Sequence, residues 1–190
     1  MCDTMDVFYD KSKPKKEEQS YGKLAVQQRM RLAMAFLHPL RPVVAESWLG
    51  YGKGNKSKAF GQALKALMQE AIGGHYPDQY VEAARVSISM GILPAVNVAK
   101  TELRDNALEV HFSSEQHPLA NGTDEVVLVA YCPEAGIAAR NTDAYLRTDG
   151  HIRVPLPSQL HTQPFHAYLF LQNVRKKQFS KSIYLGIIGK

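Results

Sequence analysis

Cys132 closes the apolar run Val126 to Cys132 and is followed by Pro133. A thiolate beside a base would make it a nucleophile, and His151, His161 and His166 are the bases downstream. Neither an oxyanion-hole loop nor an orienting partner accompanies them in the sequence, so a half-buried cysteine at a strand end is expected. The same histidines are candidate metal ligands, yet zinc sites show close pairs such as His-x3-His or Cys-x2-Cys, which this set lacks. Histidines on surface strands and loops are expected instead, and His38, just before Pro39, sits where an imidazole can cap free helix carbonyls. No catalytic, cofactor or metal residue is assigned, and no cofactor is expected.

Anion binding is the other chemistry on offer. The stretch Gly50-Tyr51-Gly52-Lys53-Gly54-Asn55-Lys56-Ser57 superficially suggests a phosphate cradle, because free N–H groups at a helix start attract anions. A P-loop needs a preceding strand and a Gly-Lys-Ser/Thr ending; here a helix precedes and Asn55-Lys56-Ser57 follows, so a flexible basic loop is expected. Arg29, Arg31, Lys53, Lys56 and Lys58 are the candidate contacts for an anion or nucleic acid. They belong to a wider basic set with Lys13, Lys15, Lys16, Lys23 and Arg41, interleaved with Tyr21 and Tyr51 as stacking rings. Glu17, Glu18 and the lack of a nucleic-acid motif stand against that use.

The charge is unevenly placed. Residues 1–69 hold twelve Lys or Arg against six Asp or Glu, and residues 70–190 hold eleven against twelve, together the net +5. The basic excess therefore belongs to the front, where it favours anionic partners or simply solubility. With 45% apolar and 22% charged residues the composition is that of an ordinary globular chain, not a disordered one. No run reaches the ~18 apolar residues of a membrane span. The N-terminus lacks an apolar export segment, so a cytoplasmic location or one within an assembled particle is expected. Two cysteines 130 positions apart, Cys2 and Cys132, form no disulfide framework. Asn121-Gly122-Thr123 is read as a turn.

The elements that must position these residues follow from period and punctuation. Residues 1–19 have no apolar period and are expected to be a flexible tail. Residues 20–79 are expected to be a helical basic segment. Its first helix runs from Ser20 to about His38 on the stripe Val26, Met30, Ala33, Met34 and Leu37, and Pro39 ends it. A short second helix starts near Pro42 and contains Val43, Val44 and Trp48. A third, capped by Ser57, carries Phe60, Leu64, Leu67, Met68 and Ile72 until Gly73-Gly74.

From residue 80 to 190 the period is two, which predicts a β-sandwich domain with its main body from about Pro94 to Ile188. Strands are expected at Ala84–Met90, Val96–Glu102, Ala107–Phe112, Glu125–Tyr131, His151–Pro155, Phe165–Leu171 and Lys181–Ile188. Asp105-Asn106, Ser114–Asp124, Pro133–Gly136, Asp149-Gly150, Pro157–Pro164 and Arg175–Gln178 are expected to turn between them. Val126–Tyr131 is apolar on both faces, so it should be a central strand covered by the other sheet and by the helices. Leu160, Phe165 and Tyr168 resemble the long turn and tyrosine corner of fibronectin-like domains. The fold class is therefore α+β, N-terminal helices followed by an antiparallel immunoglobulin/fibronectin-III-like β-sandwich.

Several segments, in order, resemble a family of uncharacterised Bacteroidota proteins known only as a domain of unknown function. They are AVQQRMRLAMAFLHPLRPVV, KAFGQALKALMQEAIGG, the YPD at 76–78, VSISMGILP, VVLVAYCPE and SKSIYLGIIG. Family members begin with a longer Gly- and Lys-rich stretch, which here is shortened to a mix of acidic and basic residues. The resemblance implies no activity and no site residues. The helix pattern of Ala-Gln, Arg and Phe is also similar to segments of phage and prophage structural proteins, by analogy only. The function expected is a non-enzymatic structural or protein-interaction role, with a protein partner or self-assembly. The alternative is nucleic-acid association through the basic front. A small-molecule ligand is not indicated.

Overall fold

The computed structural model describes residues 20–113, 117–175 and 177–189, so the expectation of a flexible tail over 1–19 lies outside the described residues. Three helices come first: α1 (Tyr21–Leu37), α2 (Arg41–Ser47) and α3 (Lys56–Glu70). Pro39 and Pro42 separate the first two as expected. The cap of α3 is Asn55 rather than Ser57: the Asn55 Oδ1 accepts the Lys58 N–H at 3.0 Å, which starts the helix earlier.

The buried stripe of α1 also differs from the expected one. Ala33, Phe36 and Leu37 are buried, while Val26 and Met30 face solvent. Polar residues take the inward position on the first half because carbonyls of the last turn of α3 and of the loop at Pro77 need donors there. The Gln28 amide donates to the Pro77 oxygen at 2.6 Å, and the Arg29 guanidinium donates to the Met68 oxygen at 2.6 Å. On α3 the expected Phe60, Leu64 and Leu67 are buried, joined by Ala63, while Met68 is only partly buried and Ile72 lies beyond the helix, which ends at Glu70, in the first short strand.

After α3 the chain forms a small antiparallel ladder, β1 (Ile72–Gly73) with β2 (Tyr80–Val81), then a 3-10 turn at Ala83–Arg85. The strand expected over Ala84–Met90 is not formed. Residues 86–90 are deeply set and Val86 and Ile88 are buried as a period-two pattern would have them, but serines replace the ladder. The Ser47 hydroxyl donates to the Ile88 oxygen (2.7 Å), the Ser182 hydroxyl accepts the Ile88 N–H (3.0 Å), and the Ser89 hydroxyl donates to the Ser180 oxygen (2.7 Å). Period two reports an extended backbone; it does not report whether the backbone partner is another strand.

The rest is sandwich-like. A three-stranded antiparallel sheet runs β3 (Asn97–Arg104), β4 (Ala107–Ser113), β8 (His151–Pro155). The β3–β4 hairpin turns at Asp105 and Asn106, both at positive φ (49° and 57°), the signature of a tight turn that Asp and Asn tolerate. The larger sheet is built on β5 (Glu125–Cys132) and β9 (Phe165–Asn173). β6 (Ile137–Arg140) and β7 (Tyr145–Leu146) lie beside β5, and β10 (Gln178–Phe179) and β11 (Ile183–Ile188) lie beside β9. The short β6, β7 and β10 were not expected; each is too brief to show a period, and β10 begins inside the turn predicted at Arg175–Gln178. Between β6 and β7, Asn141 stands in for the ladder: its Oδ1 accepts the Leu128 N–H (2.8 Å) and its amide donates to the Val126 oxygen (3.1 Å).

Two cores share the large sheet. Val126, Leu128, Ala130 and Cys132 pack between the sheets with Leu108, Val110, Phe112 and Ile152. Val127, Val129 and Tyr131 on the other face pack with Phe36, Val44, Trp48, Leu64 and Leu67 of the helices. This double coverage is the reason β5 is apolar throughout. Tyr168 lies on the helix side, where its hydroxyl donates to the Ala83 oxygen at 2.8 Å. It ties the 3-10 turn to the sheet and does not form the tyrosine corner that its position suggested.

Candidate functional site

The five basic candidates fall into two groups. Arg29 lies beside the end of α3 through its bond to Met68, whereas Lys56 and Lys58 open that helix, about 15 Å away along an axis rising ~1.5 Å per residue. Arg29 is structural, and Lys56 is engaged by Glu46 at 3.2 Å. Arg31, Lys53 and Lys58 are exposed. The glycine loop offers no open cradle at Gly52 and Gly54, since Gly52 N–H bonds to the Trp48 and Leu49 oxygens and Gly54 N–H to that of Leu49.

Cys132 and the histidines do not converge. Cys132 is fully buried between the sheets, its Sγ 3.3 Å from Gln163 Oε1 and 3.6 Å from Glu134 Oε2. His166 pairs with Tyr131 in the β5–β9 ladder and faces the helices, on the other side of the sheet, where its Nδ1 is 2.9 Å from the Tyr184 hydroxyl. Burial lowers the His166 pKa, with the Glu134 charge opposing the shift. Burial likewise pushes the Tyr131 phenol up to about 12, helped by Glu134, and raises that of Tyr168 further still. The His161 Nε2 meets the Leu156 oxygen at 2.9 Å, and His151 is on the outer face of β8. Among the described residues no group of three or more His, Cys, Asp or Glu is placed to hold a metal ion. No helix among them is long and apolar enough to cross a membrane.

Three features went unread in the sequence. A groove of about 320 Å³ lies where the Gly50-Tyr51 loop, residues 90–92 and β10 meet; Met90 and Phe179 line it, and Tyr51 and Ile92 are 52% and 62% exposed beside it. A second cavity of about 410 Å³ opens between β6 and β8, with Leu108, Leu128 and Leu156 at its floor and Arg140, Asp143 and Arg153 at its rim. Third, Asp124 is fully buried against Arg147, 3.4 Å from its Nε, and accepts from the Asn173 amide at 2.8 Å. Arg147 also donates to the Pro94 oxygen at 2.6 Å, which locks the start of β3 to the far end of the large sheet. Burial lowers the Arg147 pKa, while Asp124 opposes that shift. Each of these places joins segments tens of residues apart, so local pattern carries no signal of it.

A family model described as a family of unknown function (DUF6266) matches residues 4–186. No curated protein and no solved structure matches the chain.

Proposed function

The chain belongs to the DUF6266 family, and from that premise we propose that it is a non-enzymatic structural or protein-interaction protein. The observation that carries this reading is the groove beside Tyr51 and Ile92. Two large apolar side chains stand more than half exposed at one junction, over the partly buried Met90 and Phe179 and beside the polar Lys177 and Gln178. Apolar exposure with a polar rim is the physical mark of a protein contact. The rest of the molecule is a scaffold that holds this junction stiffly, since α2, the serine-stitched segment and β10 all meet there.

The strand order supports the immunoglobulin or fibronectin type III reading of the sandwich: β3-β4-β8 faces β6-β5-β9-β11, a three-stranded antiparallel sheet over a larger one. Such sandwiches commonly bind through loops and strand edges. The likeness of α1 to phage structural segments supports, by analogy alone, a place in an assembled particle. The test is sedimentation velocity over a wide concentration range, together with quantitative capture from cell lysate, on the wild type and on Tyr51→Glu/Ile92→Glu. Association with a second copy or another protein that is lost in the double variant supports the reading. Equal association by both proteins overturns this surface.

Nucleic-acid association through Arg31, Lys53 and Lys58 is the second reading, supported by their exposure on the basic front. Fluorescence anisotropy with mixed-sequence DNA and RNA separates it. Binding that falls steeply from low to physiological salt favours it, and no retention at low salt removes it.

A further inference from the structure

His111 on β4 and His151 on β8 are directly opposite in the antiparallel ladder. The neighbouring Phe112 N–H bonds to the Gly150 oxygen at 2.9 Å, which makes His111 and His151 the alternate, non-hydrogen-bonded pair, the one whose side chains come closest. Both are exposed on the outer face of the three-stranded sheet, and their rings are near-parallel, 24° apart in plane with centroids at 6.1 Å. The His151 Nδ1 lies 3.1 Å from the Asp149 oxygen. A carbonyl can only accept, so Nδ1 carries the proton in the neutral ring and Nε2 is the nitrogen left with a lone pair for a ligand. Metal-binding histidines are held in this same way, the second ring N–H given to a backbone carbonyl.

We propose that His111 and His151 form a bidentate site for a late first-row divalent cation such as Ni2+, Cu2+ or Zn2+. Two imidazole nitrogens on one ion stand about 3.3 Å apart in tetrahedral geometry and about 2.9 Å apart at the cis positions of a tetragonal one, given metal–nitrogen distances of about 2.0–2.1 Å. Exposed rings reach that separation by turning about their own side-chain bonds, while the ladder keeps the backbones fixed. Imidazole donors suit these metals and not Mg2+ or Ca2+, which take oxygen. The nearest cations on this face are each paired with a carboxylate: Lys100, opposite His111 in the β3–β4 ladder, lies 2.6 Å from Glu102, and Arg153 lies 3.2 Å from Glu109 and 3.6 Å from Asp105. Water fills the remaining coordination positions.

The experiment uses NiCl2 with the full chain carrying Cys2→Ser, which removes a competing thiol. Calorimetry at pH 7.5 should give one ion per chain, with paramagnetic broadening of the His111 and His151 ring signals. His111→Gln and His151→Gln should each weaken binding by at least about tenfold, a loss that even an outer-shell change to a metal site can cause. His161→Gln should leave it unchanged. Both tested side chains point to solvent, so the variants keep the fold, checked by an unchanged amide spectrum. No binding, wild-type affinity in either single variant, or broadening confined to other histidines overturns the site.

Discussion

The Ser89 hydroxyl donates to the Ser180 carbonyl oxygen over 2.7 Å, with both residues wholly withdrawn from solvent. Ser180 in turn accepts the Leu171 N–H on its own hydroxyl at 2.9 Å, so one serine pair joins the extended 86–90 segment to β9. Removing the donor leaves a buried carbonyl short of a partner. Ser89→Ala should therefore cost about 1–3 kcal/mol of unfolding free energy, the penalty of an unsatisfied buried polar group. Urea denaturation measures it, and an unchanged midpoint would show that the bond contributes nothing net.

Leu64 is packed in the cluster that runs from the helices onto Val127, Val129 and Tyr131 of β5. Leu64→Ala should lower stability by roughly 2–5 kcal/mol, as large-to-small core changes do. Because the cluster is continuous, helix and sheet signals should melt together at a lower temperature. Circular dichroism at a helix-weighted wavelength and intrinsic fluorescence report the two parts; separate transitions, with only the helical one moved, would refute a shared cooperative unit.

Asp124→Ala strips a buried partner from Arg147 and Asn173. The expected cost is about 3–5 kcal/mol, the range for breaking a buried ion pair by removing one member. Lys56→Ala, at a solvent-exposed pair with Glu46, should cost no more than about 1 kcal/mol. Guanidinium titrations of both variants test the order, and similar costs would contradict it.

Burial depresses the His166 pKa in the folded chain, which favours the neutral ring. The folded pKa is below the unfolded value, so the stabilisation is whole above the unfolded pKa of about 6.5 and is lost as pH falls from there through the folded value. The melting temperature of the wild type should thus drop more between pH 7.5 and 5.5 than that of His166→Gln. Parallel pH profiles of the two proteins would show that His166 does not couple folding to protonation.

By itself the sequence determined the α+β class, three helices bounded by prolines and glycines, and the strands that carry their own period, such as Ala107–Phe112 and His151–Pro155. It also determined that Val126–Tyr131 is covered on both sides, because six apolar residues in a row leave no face for water. Those signals are local, written in spacing within one element. Tertiary structure alone decided the rest. Gln28 and Arg29 turned inward because carbonyls of Pro77 and Met68, some forty to fifty positions away, need donors. Residues 86–90 became a serine-stitched strap because the Ile88 backbone groups pair with the side chains of Ser47 and Ser182 rather than with a neighbouring strand. The Tyr51–Ile92 groove, the Asp124–Arg147 pair and the His111–His151 pair likewise join residues some 23 to 41 positions apart in the chain. Their geometry is fixed by ladder register and packing between elements, and a hydrophobic period carries no term for which distant residue ends up opposite.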